Sequence, residues 1–135
     1  MFNETKNFIN SFNDPIKEIE TIRKGVQPYV IENCLLPQAF VMKDILERLH
    51  IPKSTYLAKK KNKSPLDPFA TEKLMRVVSI VNITSEVLGK DEARSWLYKE
   101  VSSLGNQKPI DLLDTDVGHR LVEQALMQIK YGVYN

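Results

Sequence analysis

The sequence predicts an all-α fold, a compact multi-helix domain. Three observations carry that expectation. Apolar residues recur at three- and four-residue spacings, as in Val117, Leu121, Ala125 and Ile129 with Val122 and Leu126 beside them. Two Asp-Pro pairs, at 14–15 and 67–68, place a capping carboxylate before a proline suited to the first helical turn. No stretch alternates convincingly with period two, and no Asn-Gly or Asp-Gly pair offers a hairpin turn.

In chain order, residues 1–13 are Asn-rich, with Phe2, Phe8, Ile9 and Phe12 as their apolar points; they read as a loose arm or a short helix that needs a partner surface. Asp14-Pro15 opens a helix in which Ile16, Ile19 and Ile22 share a face, and Gly25 stops it. Pro28 opens a short helix through about Leu35. Pro37 starts the next, with Phe40, Val41, Ile45 and Leu49 toward the core. After a turn at His50 and Ile51, Pro52 opens another helix through about Lys61. Residues 62–66 form a loop. Asp67-Pro68 begins the longest helix, with Leu74, Val77, Val78, Val81, Val87 and Leu88 inside and Gly89 at its end. A further helix covers Asp91 to Glu100, in which Trp96 is expected to be a buried anchor. Pro109 to Leu113 is a single turn. Asp114 or Thr115 then caps the final helix, which carries one broad apolar stripe, and Gly132 falls where a left-handed stop belongs.

A chain of 135 residues, 42% hydrophobic and 27% charged, is too apolar for disorder and the right size for one domain with a short arm. Three regions are expected within it: a candidate dimerisation arm and helix at 1–24, a central region at 25–88 and a C-terminal region at 89–135. The single cysteine, Cys34, precludes an internal disulfide, and its surroundings point to a small buried residue rather than a nucleophile, in keeping with a reducing cytoplasm. The N-terminus lacks the basic start and apolar run of a signal peptide, and the most apolar stretch, VVSIVNI, is too short to cross a bilayer.

Net charge is only +2 but unevenly placed. Residues 40–63 carry seven Lys or Arg against two acids, whereas residues 86–135 carry six against eight. A basic middle and a mildly acidic end imply two different partners. The basic stretch FVMKDILERLHIPKSTYLAKKKNK has the rhythm of a helix-turn-helix. One helix ends at Leu49, His50 takes the turn position that must tolerate positive φ, Ile51 plugs into the core, and a second helix follows Pro52. Lys53, Ser54 and Thr55 stand at the start of that second helix, where recognition helices meet base edges. Lys59, Lys60, Lys61 and Lys63 follow as phosphate contacts. A lysine cluster alone is more often a solvated helix end; the helix, turn and Ser-Thr pair in register are what point to operator DNA. Lysine in place of arginine weakens the case for bidentate base contacts.

Nothing in the sequence assembles a catalytic constellation. His50 and His119 have no cysteine or carboxylate at metal-ligand spacing, the five glycines make no phosphate loop, and Asp111, Asp114 and Asp116 read as a cap and solvated acids. The expectation is a protein that is not an enzyme and takes no cofactor, metal, membrane or small-molecule substrate. The closing Tyr131, Gly132, Val133 and Tyr134 are unusual for a terminus, where polar residues prevail. Either the tail closes its own core or a partner covers it; Tyr131 can pack inward while Tyr134 reaches out.

The C-terminal stretch LGNQKPIDLLDTDVGHRLVEQALMQIKYGVY resembles the toxin-binding segment of the Xre/MbcA/ParS antitoxins. The matching residues are Leu104-Gly105, Pro109, Leu112-Leu113, Asp114-Thr115, Gly118, Val122 and Tyr131 to Tyr134. Upstream, ARSWL at 93–97 resembles the family's Ala-Arg-x-Trp-Leu, and IPKSTYLAKK its Xre-type helix-turn-helix; the likeness runs from about Gly25 to Tyr134. The chain departs from the pattern at Asn106, where a second glycine is common, at Lys130, where an acid is usual, and in its lysine-rich second helix. The resemblance implies a type II antitoxin. Its region 25–88 would bind and repress the shared operon. Because a single helix-turn-helix covers too little DNA, a homodimer joined through the N-terminal arm and the Ile16, Ile19 and Ile22 face is expected. Its region 89–135 would cover the active site of a RES-domain toxin that consumes NAD or transfers ADP-ribose, with Arg94, Tyr131, Gly132, Val133 and Tyr134 at the contact. A stand-alone helix-turn-helix regulator without a toxin, and a pure protein-binding inhibitor that binds no DNA, are the alternatives.

Overall fold

The computed structural model describes residues 2–132. Among these residues there are eight α-helices and no strand, only an isolated bridge between Val101 and Gln107. The all-α expectation holds. The chain divides into two compact units inside its longest helix, between Met75 and Arg76.

The N-terminal unit begins with α1 (Phe2–Ser11), the second of the two forms expected for this segment, a loose arm or a short helix. It is held down by its own neighbours. Phe8 is buried and stacks edge-on against Phe12, their centroids 5.2 Å apart. Glu4 accepts hydrogen bonds from the Gln27 amide and the Tyr29 hydroxyl, both at 2.9 Å. Next, α2 (Pro15–Lys24) starts as expected, with the Asp14 carboxylate accepting from the amides of Ile16 and Lys17. It ends at Gly25, where φ is +79° and a Cβ would lie 2.1 Å from the Leu66 carbonyl oxygen. No residue of α2 is buried.

The centre of this unit is α3 (Tyr29–Leu35), with Val30, Ile31, Cys34 and Leu35 all buried. Removing each large aliphatic side chain from water is worth roughly 1.5–3 kcal/mol. One expectation fails just after it. Pro37 does not open the next helix; it sits in a single 3₁₀ turn, Leu36–Gln38, closed by Ala39 with φ +66°. The next helix, α4, runs only over Met42–Arg48, so Phe40 is buried from the connection and Val41 is exposed. Then come α5 (Lys53–Asn62) and the long α6 (Pro68–Leu88), whose first turn is capped by Asp67 accepting from the Ala70 amide at 2.7 Å.

In the C-terminal unit, α6 continues with Val77, Val78, Ile80 and Val81 buried; Val87 and Leu88 are only partly so. Gly89, at φ +88°, separates it from α7 (Lys90–Leu97). That helix is shorter than expected, and Trp96 is half-buried; Ala93 and Leu97 supply its buried contacts instead. The following loop holds the left-handed pair Gly105 (φ +69°) and Asn106 (φ +60°), so asparagine takes a conformation glycine usually fills. A 3₁₀ turn, Pro109–Leu112, leads to α8 (Asp116–Tyr131). Its cap is Thr115, whose hydroxyl accepts from the Gly118 amide, and Gly132 ends it at φ +66°.

Candidate functional site

Two surfaces, one in each unit, carry the residues that the sequence singled out. In the N-terminal unit, α4 and α5 are joined by Leu49, His50, Ile51 and Pro52. The turn is a two-bond helix stop: the His50 amide donates to the Glu47 carbonyl at 3.1 Å and the Ile51 amide to the Leu46 carbonyl at 2.9 Å. The residue that must be left-handed is His50, at φ +57°. Its Nδ1 lies 2.7 Å from the Lys73 ammonium, which donates to it, and Ile51 is buried.

Only Tyr56 of α5 is buried, so the helix rests on one aromatic and presents the rest to solvent. At about 100° per residue, Ser54, Ala58 and Lys61 lie opposite Tyr56. Lys53, Ser54, Thr55, Lys61 and Lys63 are exposed. Lys59 and Lys60 are each engaged within the protein. The Lys59 ammonium donates to the Pro65 carbonyl at 3.0 Å, and that of Lys60 donates to Glu32 Oε1 at 2.6 Å. The same Glu32 oxygen accepts from the Tyr56 hydroxyl at 2.7 Å. Burial opposes charge on Glu32, but the hydrogen bonds from Lys60 and Tyr56, with the Lys60 charge, outweigh it and hold the carboxyl below its usual range. Burial first, then the bond to Glu32, pushes the Tyr56 phenol well above its usual value. Sequence reading missed Glu32 because its partners lie 24 and 28 residues away.

In the C-terminal unit the surface is α8. Its buried side is Gly118, Val122, Ala125 and Leu126. Val117 and Leu121, both members of the apolar stripe, are 59% and 46% exposed, and Tyr131 is 69% exposed. These three lie along one side of the helix at i, i+4 and i+14. The sequence did hold a signal for this. At 100° per residue the apolar positions from Tyr131 round to Leu126 sweep about 220°, more than one buried stripe needs. The helix therefore has a core face and a second, open apolar face.

Arg94 is exposed on α7, its guanidinium 5.5 Å from the Tyr98 ring centroid, and the Lys130 ammonium stands 5.6 Å from the Tyr131 ring. Gly132 is exposed with nothing within 4 Å of an added Cβ. Val133 and Tyr134, named as tail contacts, lie outside the described residues. Beneath the open face, Gly118 has no room for a side chain: a Cβ would lie 1.7 Å from the Leu112 carbonyl oxygen. That close approach locks the Pro109–Leu112 turn against the start of α8.

Among the described residues no three His, Cys, Asp or Glu gather as metal ligands, and no helix is long and apolar enough to cross a membrane. The Cys34 thiol is pushed up to about 11 by burial, which leaves it protonated and unreactive at neutral pH.

Residues 85–132, from the end of α6 through the open face of α8, match the family described as the Antitoxin Xre/MbcA/ParS C-terminal toxin-binding domain. The chain is also 28% identical over 130 residues to the "Prs ADP-ribosylating antitoxin" of Sphingobium sp. (strain YBL2), an alignment covering 89% of this chain and 82% of that relative.

Proposed function

We propose, on the premise that this chain is an Xre/MbcA/ParS-family antitoxin, that it neutralises a RES-domain toxin by binding over the site where that toxin consumes NAD or transfers ADP-ribose. The observation that carries this reading is the open apolar face of α8. Val117, Leu121 and Tyr131 are exposed inside the very segment that matches a toxin-binding domain. Aliphatic and aromatic groups of this kind supply most of the energy of an interface once a partner desolvates them. Arg94, Gly132, Val133 and Tyr134 extend the contact in this reading.

The same reading gives the N-terminal unit a second role, repression of the operon shared with the toxin, with α5 laid in the major groove of the operator. It is supported by the left-handed turn at His50 and by the exposed Lys53, Ser54, Thr55, Lys61 and Lys63. Two copies would be needed to read two half-sites. The wholly unburied α2, with Ile16 and Ile19 exposed, is the apolar face on which a second copy would dock.

The test is co-expression, in the cytoplasm of a bacterial host, with the product of the neighbouring toxin gene, reading growth and cellular NAD. Changing Val117 and Leu121 together to Asp should abolish protection and pull-down of the toxin while operator binding persists. Full protection by a folded double variant would refute the α8 face as the inhibitory surface. A stand-alone regulator would bind operator DNA and capture no toxin.

A further inference from the structure

We infer that Glu32 is an internal stand-in for a DNA phosphate, one that seats α5 through Tyr56 and withholds Lys60 from the duplex. The inference rests on the reading of α5 as a DNA-contacting helix and says which of its lysines do the contacting.

Glu32 belongs to α3, the buried helix of the unit, so its position is fixed by Val30, Ile31 and Leu35 around it. From there one carboxylate oxygen takes two hydrogen bonds from α5, at 2.7 Å from the Tyr56 hydroxyl and 2.6 Å from the Lys60 ammonium. The Lys60 ammonium also stands 6.0 Å from the Tyr56 ring centroid. The pair is half-shielded from solvent, the Glu32 side chain 26% exposed and that of Lys60 46%. A carboxylate oxygen offers an ammonium what a phosphate oxygen offers, an anionic acceptor at hydrogen-bond distance. To reach DNA, Lys60 would have to leave a charge-assisted bond in place. It would also strand Glu32 with only the Tyr56 hydroxyl and bring that unneutralised charge toward the phosphates.

The rest of the lysine run is graded against this. Lys59 holds only a neutral acceptor, the Pro65 carbonyl, which a phosphate outcompetes. Lys61 and Lys63 are exposed and make no ion pair among the described residues. Glu32 therefore sets the number of phosphates that α5 engages, and an uncharged residue at 32 adds one.

The experiment is fluorescence anisotropy of the full chain on a short mixed-sequence duplex, read as the slope of log affinity against log salt between about 50 and 200 mM. Lys61→Ala should flatten the slope by about 0.9, one phosphate, and Lys60→Ala should leave it unchanged. Glu32→Gln, which keeps an oxygen for the Tyr56 hydroxyl, should steepen it by about 0.9, so that affinity falls about 3.5-fold further across that salt range. The steepening should vanish when Lys60→Ala is added. Flattening by Lys60→Ala equal to that of Lys61→Ala would overturn the inference. So would a Glu32→Gln effect that persists without Lys60, which would make Glu32 a repelling charge and nothing more. If Glu32→Gln does not fold, Lys60→Met against Lys61→Met draws the same distinction. A wild-type chain with no salt-dependent binding would instead overturn the DNA reading itself, before any variant is compared.

Discussion

At Gly118 the fold depends on the absence of a single carbon atom. The atom that a Cβ would strike is backbone, the Leu112 carbonyl oxygen, which cannot swing aside as a flexible side chain would. Gly118→Ala should therefore destabilise the C-terminal unit by about 1–3 kcal/mol or more, read by chemical denaturation, although alanine is the better helix former by about 1 kcal/mol. The sequence showed a glycine early in a helix but not its cause, because the clash is with a residue outside the helix. The neighbouring His119 gives a pH prediction. Burial lowers its pKa, Glu123 and Asp116 pull it up, Arg76 pushes it down, and the net direction is downward from 6.5. The unfolded chain then binds the proton more readily than the folded one. Stability should be complete above about pH 6.5 and fall as the solution is acidified through that value. Melting temperature measured between about pH 7.5 and 5 should show the decline, and His119→Gln should flatten it over the histidine range.

At the scale of elements, helix starts set by local chemistry were legible. Asp14 and Asp67 cap where they were expected to, and His50 takes the left-handed turn. The start of α4 was not legible, because it is decided by Ala39 at φ +66°, a conformation alanine seldom adopts and no local rule assigns. Burial of Phe40 from the connection accompanies that turn and leaves Val41 outside. The helix that carries the α5 lysines was legible, but not the bonds that engage Lys59, to the loop after the helix, and Lys60, to α3. Changing Lys53, Lys61 and Lys63 together to Ala should flatten the salt dependence of operator binding by up to about 2.7 in log–log slope and leave toxin capture intact. An unchanged slope would reduce these lysines to a solvated surface. On α8 the apolar periodicity was legible, but not which part of the arc is buried, because that depends on what packs against it.

At the scale of the whole molecule, an assembly and a truncation are testable. Sedimentation of the free protein at tens of micromolar should show a dimer or larger, and Ile16→Glu with Ile19→Glu should return it to monomer without loss of helicity. A wild-type monomer at that concentration would remove α2 as a docking face. Deleting residues 131–135 should leave melting temperature and operator binding close to wild type while releasing the toxin, because Tyr131 is exposed and a Cβ built at Gly132 would meet nothing within 4 Å. A truncated chain that still protects cells would move the inhibitory surface to Val117, Leu121 and Arg94. The two faces of α8 carry a last consequence, which concerns inheritance. Val117 and Gly118 are adjacent in the chain, yet the second is required by the fold and the first is left open to solvent. A lineage that lost its toxin would retain 118, 122, 125 and 126 and let 117 and 121 drift to polar residues. Two libraries of α8, one selected for folding and one for survival beside the toxin, should diverge at 117 and 121 and agree at the four buried positions.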